Sequence, residues 1–210
     1  MKNILVVGPS VPEKLAKSPG VIHHPLIRLE PYPQKVDSLQ KVYDCSGIII
    51  TSKHGSQFFV EALRKAALPL PSLPFFCIGK ISAQKTKELF SASSIIIAQK
   101  ETQEGLVETI CKEAPRSLFW PRSSKARTHI TATLLQKGIT VIDLSLYEPV
   151  PIDNPPSLSG IDEVLFTCPS SVDAFFAVVF RESLGTIKLR AIGPITEKRL
   201  FHFLQENHKV

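Results

Sequence analysis

The sequence predicts an α/β protein whose strands run parallel and are covered by helices on both faces. Short apolar segments, rich in β-branched residues, alternate with amphipathic stretches along nearly the whole chain. The apolar segments have strand length and lack the polar–apolar alternation of a one-sided sheet, which favours strands buried on both faces. The chain has 210 residues, enough for one large domain or two small ones with cores of their own.

The apolar segments are the candidate strands. Each is four to eight residues long, as strands usually are. The segments are Asn3–Gly8, Gly47–Thr51, Phe75–Gly79, Ser94–Ala98, Ser117–Trp120, Ile139–Leu146, Glu163–Thr167 and Leu189–Gly193.

The amphipathic stretches that follow most of these strands are the candidate helices. Thr102 can cap the second of them, and Gly138 suits the position just after the third. The stretches are Lys53–Ala67, Gln103–Ala114, Lys125–Lys137, Ser170–Ser183 and Ile195–Glu206. Strand–helix alternation of this kind predicts right-handed crossovers between parallel strands.

Two short patterns occur twice in the same order. Residues 48–52 resemble residues 164–168, and residues 77–82 resemble residues 191–196. The spacing agrees closely, since 28 residues separate Thr51 from Gly79 and 26 separate Thr167 from Gly193. The repeat favours two related α/β lobes, with chance similarity of strand ends as the alternative.

Proline-rich segments mark the expected domain boundaries. Of the 17 prolines, many lie in 25–33 and 149–156, which therefore read as extended chain. The predicted organisation is an inserted lobe at 36–145 and a discontinuous lobe made of 1–35 and 146–210. Two extended connectors, at about 25–35 and 146–156, join the lobes, and so few contacts would leave them free to hinge.

Composition and motifs exclude several classes of protein. No apolar run is long enough to span a membrane, and the amino terminus is too short and strand-like for a secretory signal, so we expect a cytoplasmic protein. The four cysteines and six histidines lack the spacing of a metal site or a disulfide scaffold. The common nucleotide-binding and hydrolase motifs are absent. The net charge is +6, and residues 112–137 carry six basic residues against Glu113 alone. This basic patch favours an anionic partner, although a solvated helix face would explain it equally well.

Hydroxyl and glycine residues recur where the predicted strands end. In open α/β sheets, ligands bind beyond the carboxyl ends of the strands, where helix N-termini present unpaired amides to an anion. A cleft between two such lobes would suit a large polyanion. For any single serine or threonine, a simple helix cap is an equally good explanation. The residues are Gly8, Thr51, Ser52, Gly79, Ser82, Thr167, Ser170, Ser171, Gly193 and Thr196.

Five segments between about residues 45 and 200 read IIITSKHGSQFF, CIGKIS, SLFWPRSSKARTHITATLLQKGITVIDLSLYEPV, VLFTCPSSVDAFF and AIGPITEKRL, with ILVVGP and HHPLIRLEP before them. In this order they resemble the uroporphyrinogen-III synthase family. The chain departs from the family at Gly8, where an arginine is usual, and at Ser82, where threonine is commoner. Residues 9–22 are too short and too broken for the usual first helix. We therefore expect a reduced first lobe of three strands.

The resemblance implies two flavodoxin-like lobes joined by a two-stranded connector. It also implies a cofactor-independent lyase with no metal, which cyclises hydroxymethylbilane, a linear tetrapyrrole with eight carboxylates, to uroporphyrinogen III. Water is lost and ring D is inverted, through an azafulvene and a spiro intermediate. Without enzyme the substrate closes without inversion, so the protein must control geometry.

Family roles fall on particular residues of this sequence. Tyr147 matches the tyrosine considered as proton donor to the leaving hydroxyl, with a structural role in the connector as the alternative. Arg122, Lys125 and Arg127 would add electrostatic steering. The substrate-binding set is Thr51, Ser52, Gly79, Ser82, Arg122, Thr167, Ser170, Gly193 and Thr196.

Two other functions remain open at this stage. One is a two-lobed protein that binds tetrapyrroles or other anions without turnover, and the other is a flavodoxin-like nucleotide or FMN binder. For the synthase, we expect a monomer with no cofactor, whose partners are the anionic tetrapyrrole and, transiently, the upstream deaminase. Nucleic acid and membranes are not expected partners, because the predicted strands lack interleaved aromatic and basic residues and the basic stretch is short.

Overall fold

Two sheets organise the part of the chain that the computed structural model describes, residues 2–92 and 94–206. The strands are β1 Ile4–Val6, β2 Val21–His23, β3 Ile27–Pro31, β4 Gly47–Ile50, β5 Phe75–Cys77, β6 Ile95–Ile97, β7 Ser117–Ser123, β8 Thr140–Pro151, β9 Glu163–Phe166 and β10 Lys188–Ala191. The helices are α1 Val36–Gln40, α2 Lys53–Lys65, α3 Lys80–Phe90, α4 Gln103–Glu113, α5 His129–Gln136, α6 Pro169–Val178 and α7 Pro194–Glu206. Short 3-10 helices cover Lys41–Asp44 and Arg181–Leu184.

The chain divides into two units by its internal contacts. Unit 1 comprises the chain up to Glu30 and again from Pro149 onwards, and unit 2 comprises Pro31–Glu148. The chain passes from one unit to the other within β3 and within β8. The boundaries predicted from the sequence are residues 35 and 146.

The sheet of unit 1 has the strand order β10-β9-β1-β2. Its three strand pairs are all parallel, with Leu5 opposite both Ile22 and Val164. Helices α6 and α7 pack against each other, and their apolar side chains share one core with the strands. Phe166 and Phe175 lie at its centre, fully buried and in edge-to-face contact.

The larger sheet has the strand order β3-β8-β7-β4-β5-β6. The pairs from β8 to β6 are parallel, with Ile48 opposite both Phe75 and Phe119. Strand β4 is buried along its whole length because helices cover both faces of the sheet, as its uninterrupted apolar sequence predicts. The α/β fold with parallel sheets predicted from the sequence is thus confirmed.

Several local predictions need correction. Helix α3 was not predicted because its buried face carries Ser82, Ala83 and Thr86, which give no apolar periodicity. The sheet of unit 1 has four strands rather than three, since β2 pairs with β1 although two of the three residues of β2 are exposed. Helix α1 was also missed; it is only five residues long.

The boundaries of two helices also differ from those predicted from the sequence. Helix α5 begins at His129, four residues after the predicted start, because Lys125 lies in a turn in which its amide donates to Ser123 Oγ. Helix α6 ends at Val178 rather than Ser183, and a 3-10 helix follows it. The predicted ends at Thr102 and Gly138 are confirmed. Thr102 Oγ1 accepts from the Gly105 amide at 3.1 Å, and Gly138 has a φ of +77°, where glycine is favoured.

A buried carboxylate joins three parts of the sheet in unit 1. Glu163, at the start of β9, accepts from Lys2 Nζ and from Arg190 Nε, each at 2.5 Å. Burial alone would raise the pKa of Glu163, but these two hydrogen bonds outweigh it and hold the pKa below its ordinary value of 4.5. The carboxylate is therefore charged at neutral pH and ties Lys2, two residues before β1, and strand β10 to β9.

Glu163→Gln should destabilise the protein at pH 7 by about 1–3 kcal/mol, because it removes the charge from a buried, doubly hydrogen-bonded group. Glu163 stabilises the fold fully above its unfolded pKa, and this contribution is lost as the pH falls through the lower folded pKa. The difference between wild type and variant, measured by urea denaturation, should therefore shrink towards pH 3. The control, Glu182→Gln at an exposed site, should match wild type throughout. A difference that does not depend on pH would contradict this account.

Candidate functional site

The candidate site residues lie at the carboxyl ends of the strands, where helices begin. In unit 2, β4 leads into α2, β5 into α3 and β6 into α4; in unit 1, β9 leads into α6 and β10 into α7. The first amides of a helix have no partner within the helix and carry the positive end of its dipole. Each of these junctions therefore favours a negatively charged or hydrogen-bond-accepting group.

Thr51 and Ser52 form the junction between β4 and α2. Ser52 has extended backbone and caps the helix, its Oγ accepting from the Gly55 amide at 3.0 Å. Thr51 Oγ1 accepts from Nε1 of the fully buried Trp120 at 3.3 Å. Both hydroxyls thus have partners inside unit 2, and both residues keep partial exposure.

Tyr147, on β8, reaches the same junction. Its phenol oxygen lies 3.0 Å from Ser52 Oγ. Its ring stacks on Phe58 with centroids 4.4 Å apart and 14° between the planes, and only 6% of the residue is exposed. A continuous hydrogen-bonded series therefore runs from the Gly55 amide through Ser52 to the phenol. Stacking on Phe58 fixes the orientation of the Tyr147 ring, and the hydrogen bond with Ser52 fixes its hydroxyl.

His54, in the first turn of α2, adds no positive charge to this junction at neutral pH. Its partial burial, helped by repulsion from Lys53, lowers the pKa of the imidazole below its ordinary 6.5, against the opposing effect of a hydrogen bond with Gln57. The imidazole is neutral at pH 7, so the local positive potential comes from the first amides of α2 and from the charge of Lys53.

Gly79 and Ser82 form the junction between β5 and α3. Ser82 Oγ donates to the Gly79 carbonyl at 2.8 Å and accepts from the Gly79 amide at 3.3 Å. A third group, which the sequence analysis did not single out, lies here as well. Glu101 Oε1 accepts from the Lys80 amide, the first of the helix, at 3.0 Å.

Arg122 lies near the end of β7 and is held within unit 2. Its Nε donates to Asp143 Oδ2 at 2.5 Å and one terminal nitrogen donates to the Ser123 carbonyl at 3.0 Å. The guanidinium also lies over the Trp120 ring, 5.6 Å from its centroid. The aspartate neutralises much of the charge that the sequence analysis assigned to substrate binding.

In unit 1, Thr167 follows β9 beside Gly8, which follows β1. A Cβ on Gly8 would lie 1.8 Å from Thr167 Oγ1, so only glycine fits beside this hydroxyl. At the start of α6 it is Ser171 that completes the turn, because its Oγ donates to the Cys168 carbonyl at 2.7 Å. Ser171 is fully buried, whereas the predicted residue Ser170 is partly exposed.

Gly193 and Thr196 form the junction between β10 and α7. Gly193 has a φ of +83°, which a side chain would strain, and a Cβ there would meet no atom within 4 Å. Thr196, the third residue of α7, is 4% exposed. Ser82 in α3 and Ser171 in α6 hold the same third position, so the repeat in the sequence corresponds to a repeated helix start.

The structure therefore groups the predicted residues by unit. Thr51, Ser52 and Tyr147 are brought together around the start of α2. The other predicted residues lie at separate junctions of their own units. Sequence reasoning missed Glu101 and favoured Ser170 over Ser171. A signal existed for the first, because Glu101 comes just after β6 and just before the capping Thr102.

Other kinds of site find no support in residues 2–92 and 94–206. No group of three or more histidine, cysteine or acidic side chains is arranged to hold a metal ion in that part of the chain. None of its helices has both the length and the apolar character needed to cross a bilayer. A surface cavity of about 410 Å³, lined by residues that include Lys2, Asp162 and Lys188, lies near the amino ends of the unit 1 strands, away from the helix starts.

Comparison with known proteins assigns these features to a family. The family model described as "Uroporphyrinogen-III synthase HemD" matches residues 13–206. Among solved structures, the uroporphyrinogen-III synthetase of Helicobacter pylori 26695 is 19% identical, with a TM-score of 0.68 over 99% of this chain and 90% of that chain. A mutant uroporphyrinogen III synthase of Thermus thermophilus is 18% identical, with a TM-score of 0.60 over 97% and 89%. At these identities the structures show a shared fold. No curated protein matches the chain.

Ser52→Ala should destabilise the protein by about 1 kcal/mol, the usual effect of losing a helix cap. The same change removes the hydrogen bond between Ser52 and Tyr147. Ser52→Thr, which keeps the hydroxyl, should stay close to wild type, as should Ser157→Ala in an exposed loop. Thermal denaturation measures all three. Equal stability of Ser52→Ala and Ser157→Ala would contradict the capping role.

Proposed function

The chain belongs to the uroporphyrinogen-III synthase family, and we propose that it binds the carboxylates of its substrate at the helix starts of both units. The enzyme is a cyclising lyase of haem biosynthesis. It closes hydroxymethylbilane to uroporphyrinogen III with loss of water and inversion of ring D. The observation that carries the binding proposal is the repeated strand-to-helix junction, with its exposed or partly exposed first-turn residues in each unit.

Binding through many weak contacts suits this substrate. Each of its carboxylates can accept hydrogen bonds from the first amides of a helix, and each such interaction is worth about 0.3–1 kcal/mol near the surface. The candidate positions are Thr51 and Ser52 at α2, Gly79 and Ser82 at α3, Thr167 and Ser170 at α6, and Gly193 and Thr196 at α7. The hydroxyls of Ser52 and Ser82 already cap their own helices, so at the starts of α2 and α3 the backbone amides provide most of the binding.

Arg122, Lys125 and Arg127 act at longer range in this proposal. Arg122 is paired with Asp143, and Arg127 Nη1 lies 3.4 Å from Glu104 Oε1 on the surface. Lys125 is exposed and lies in the turn before α5. The net charge of +6 attracts a polyanion before it makes any specific contact, and this attraction weakens as salt is added.

Tyr147 is the proposed proton donor to the departing ring-A hydroxyl. When the bond between carbon and this oxygen breaks, the oxygen takes a proton from the phenol and leaves as water, and a protonated azafulvene remains. Transfer of its ring-A N–H proton to the phenolate gives the neutral azafulvene and restores the phenol. A phenol with a pKa near 10 is a weak acid. The hydrogen bond from Ser52 can stabilise the phenolate that proton donation produces, and the stack on Phe58 fixes its direction.

The later steps depend mainly on positioning. The substituted carbon of ring D attacks the azafulvene to form a spiro intermediate, which fragments and recloses with ring D inverted. Uncatalysed closure, which gives no inversion, competes with this path. Holding the carboxylates at several fixed helix starts limits the conformations of the linear chain and favours the geometry for attack at the substituted carbon.

We also propose a setting for the enzyme. The free thiols of Cys45, Cys77, Cys111 and Cys168 suit the reducing cytoplasm, and burial raises the pKa of Cys77 to about 11, which keeps this thiol protonated and unreactive. The two units are the two lobes of the enzyme. We expect it to work as a monomer and to receive its unstable substrate from the upstream deaminase through a transient contact.

The activity is tested by supplying porphobilinogen and its deaminase, oxidising the products and separating the type I and type III isomers. The chain should raise the type III fraction to a large excess over type I. Ser170→Ala and Thr196→Ala should each raise KM about two- to fivefold without abolishing activity, because each contact is one of many. Formation of the type I isomer alone would contradict the proposal, and so would the complete loss of activity in either variant.

Tyr147→Phe should lower kcat about 10- to 100-fold with little change in KM, because it removes the proton donor but keeps the stack on Phe58. Tyr32→Phe, at a tyrosine elsewhere in unit 2, is the control and should keep the wild-type kcat. Thermal denaturation should show that Tyr147→Phe remains folded. A wild-type kcat in the folded Tyr147→Phe variant would show that the phenol is not the donor.

A further inference from the structure

One of the helix starts already holds a carboxylate from the chain itself. Glu101 Oε1 accepts from the Lys80 amide at the start of α3 at 3.0 Å. The carboxylate also lies directly against Gly79. A Cβ built on Gly79 would be 2.6 Å from Glu101 Cδ and within 2.9 Å of both carboxylate oxygens. The missing side chain of Gly79 therefore creates the space that this carboxylate fills.

The corresponding helix start in unit 1 is different. Gly193 holds the position of Gly79 in the sequence repeat, and a Cβ built there would meet no atom within 4 Å. Both helices carry a hydroxyl residue at their third position, Ser82 in α3 and Thr196 in α7. The two repeats thus share their local sequence pattern, but only α3 has an acidic side chain placed against its glycine.

Glu101 is not needed at this place to form its own helix. Thr102 caps α4 through the Gly105 amide, and Glu101 precedes this cap. Residue Glu101 is exposed, and its carboxylate is at the end of a flexible side chain. The contact with Lys80 can therefore break and re-form without unfolding α4. A carboxylate that enters from solution would find the same amide and the same space beside Gly79.

We propose that Glu101 is a built-in competitor for substrate. Its carboxylate occupies the start of α3, and a substrate carboxylate reaches the Lys80 amide only by displacing it. This inference rests on the proposed function, because it names the group that competes with substrate at one of the proposed binding positions. Replacing the Glu101 carboxylate by a substrate carboxylate changes the binding free energy little. The start of α3 therefore adds little net affinity for substrate in the wild type. Weaker binding at this position also helps the product, which carries the same carboxylates, to leave.

Glu101→Gln tests the proposal. It removes the charge and leaves a weaker occupant of the helix start, so KM for hydroxymethylbilane should fall about two- to fivefold, the worth of one charge at a helix end. The matched control is Glu108→Gln, which removes an exposed negative charge from the same region, on α4, and should leave KM near the wild-type value. Equal KM values for the two variants would overturn the proposal.

Gly79→Ala distinguishes local competition from a general change in charge. The φ of Gly79 is −167°, extended backbone that alanine adopts readily, and its methyl group would take the space beside the Lys80 amide. Glu101 and a substrate carboxylate are then both excluded. Glu101→Gln should therefore lower KM in the wild-type background but not in the Gly79→Ala background. An equal fall in both backgrounds would overturn the proposal.

A direct measurement follows the Lys80 amide by nitrogen-15 NMR during titration with uroporphyrin III, an unreactive octacarboxylate. The resonance of the Lys80 amide should change its chemical shift at saturation, because a carboxylate of the ligand replaces that of Glu101. If Lys80 stays unchanged while amides at the starts of α2, α6 or α7 respond, Glu101 is not displaced and the inference fails while the proposed function stands. If no helix start responds and Ser170→Ala and Thr196→Ala keep the wild-type KM, the proposed binding mode fails with it.

Discussion

The fold depends on one constraint, that the chain must return to the other end of the sheet between one parallel strand and the next. A helix makes this return after β4, β5, β6, β7 and β9, whereas residues 7–20 connect β1 to β2 without a helix. Because the strands that precede these helices are parallel within each sheet, the helices begin along one edge. In both units, the starts of α2, α3, α4, α6 and α7 follow directly from strand ends. The geometry of parallel sheets thus collects unpaired amides and positive helix dipoles at one edge of each unit without any charged side chain. A polycarboxylate substrate suits such an edge.

The chain closes its helix starts in two ways, and both use hydroxyl groups. In α2 and α4 the capping residue itself, Ser52 or Thr102, accepts from the amide of a glycine three residues later. In α3 and α6 the third helical residue, Ser82 or Ser171, bonds the backbone of the residue before the helix. These hydroxyls are committed to local structure, so the backbone amides of the first turns carry the binding that we propose.

Two carboxylates show how burial decides whether a charged group is structural or exchangeable. Glu163 is buried and hydrogen-bonded by Lys2 and Arg190, so removing its charge leaves polar groups without their partner. Glu101 is exposed, and its carboxylate accepts a hydrogen bond from the backbone amide of Lys80. Water or another anion can replace the carboxylate in that contact. The first belongs to the stability of unit 1. The second suits a role in binding, because its displacement disrupts little else.

The predicted strands and most of the helices are present because their signals are local. An apolar run of strand length such as residues 47–50 favours a buried strand. Thr102 marks a helix start through its side-chain hydroxyl, and Gly138 marks a helix end through its positive φ. Helix α3 was not predicted from the sequence because two hydroxyl residues lie on its buried side. Ser82 bonds to the Gly79 backbone there, and Thr86 bonds to Ser56 and to the Ser82 carbonyl. The contact with Ser56 depends on a neighbour far away in the sequence.

The sequence by itself determined the α/β class, the parallel strands, the repeated strand-to-helix junctions and the family, because apolar patterning and short motifs are properties of consecutive residues. The tertiary structure decided which side chains meet at those junctions. Tyr147 lies beside Ser52, Asp143 neutralises Arg122 and Glu101 fills the space beside Gly79. These contacts join residues on different strands and loops. They depend on the register and orientation of those strands and loops, which local sequence patterns do not specify.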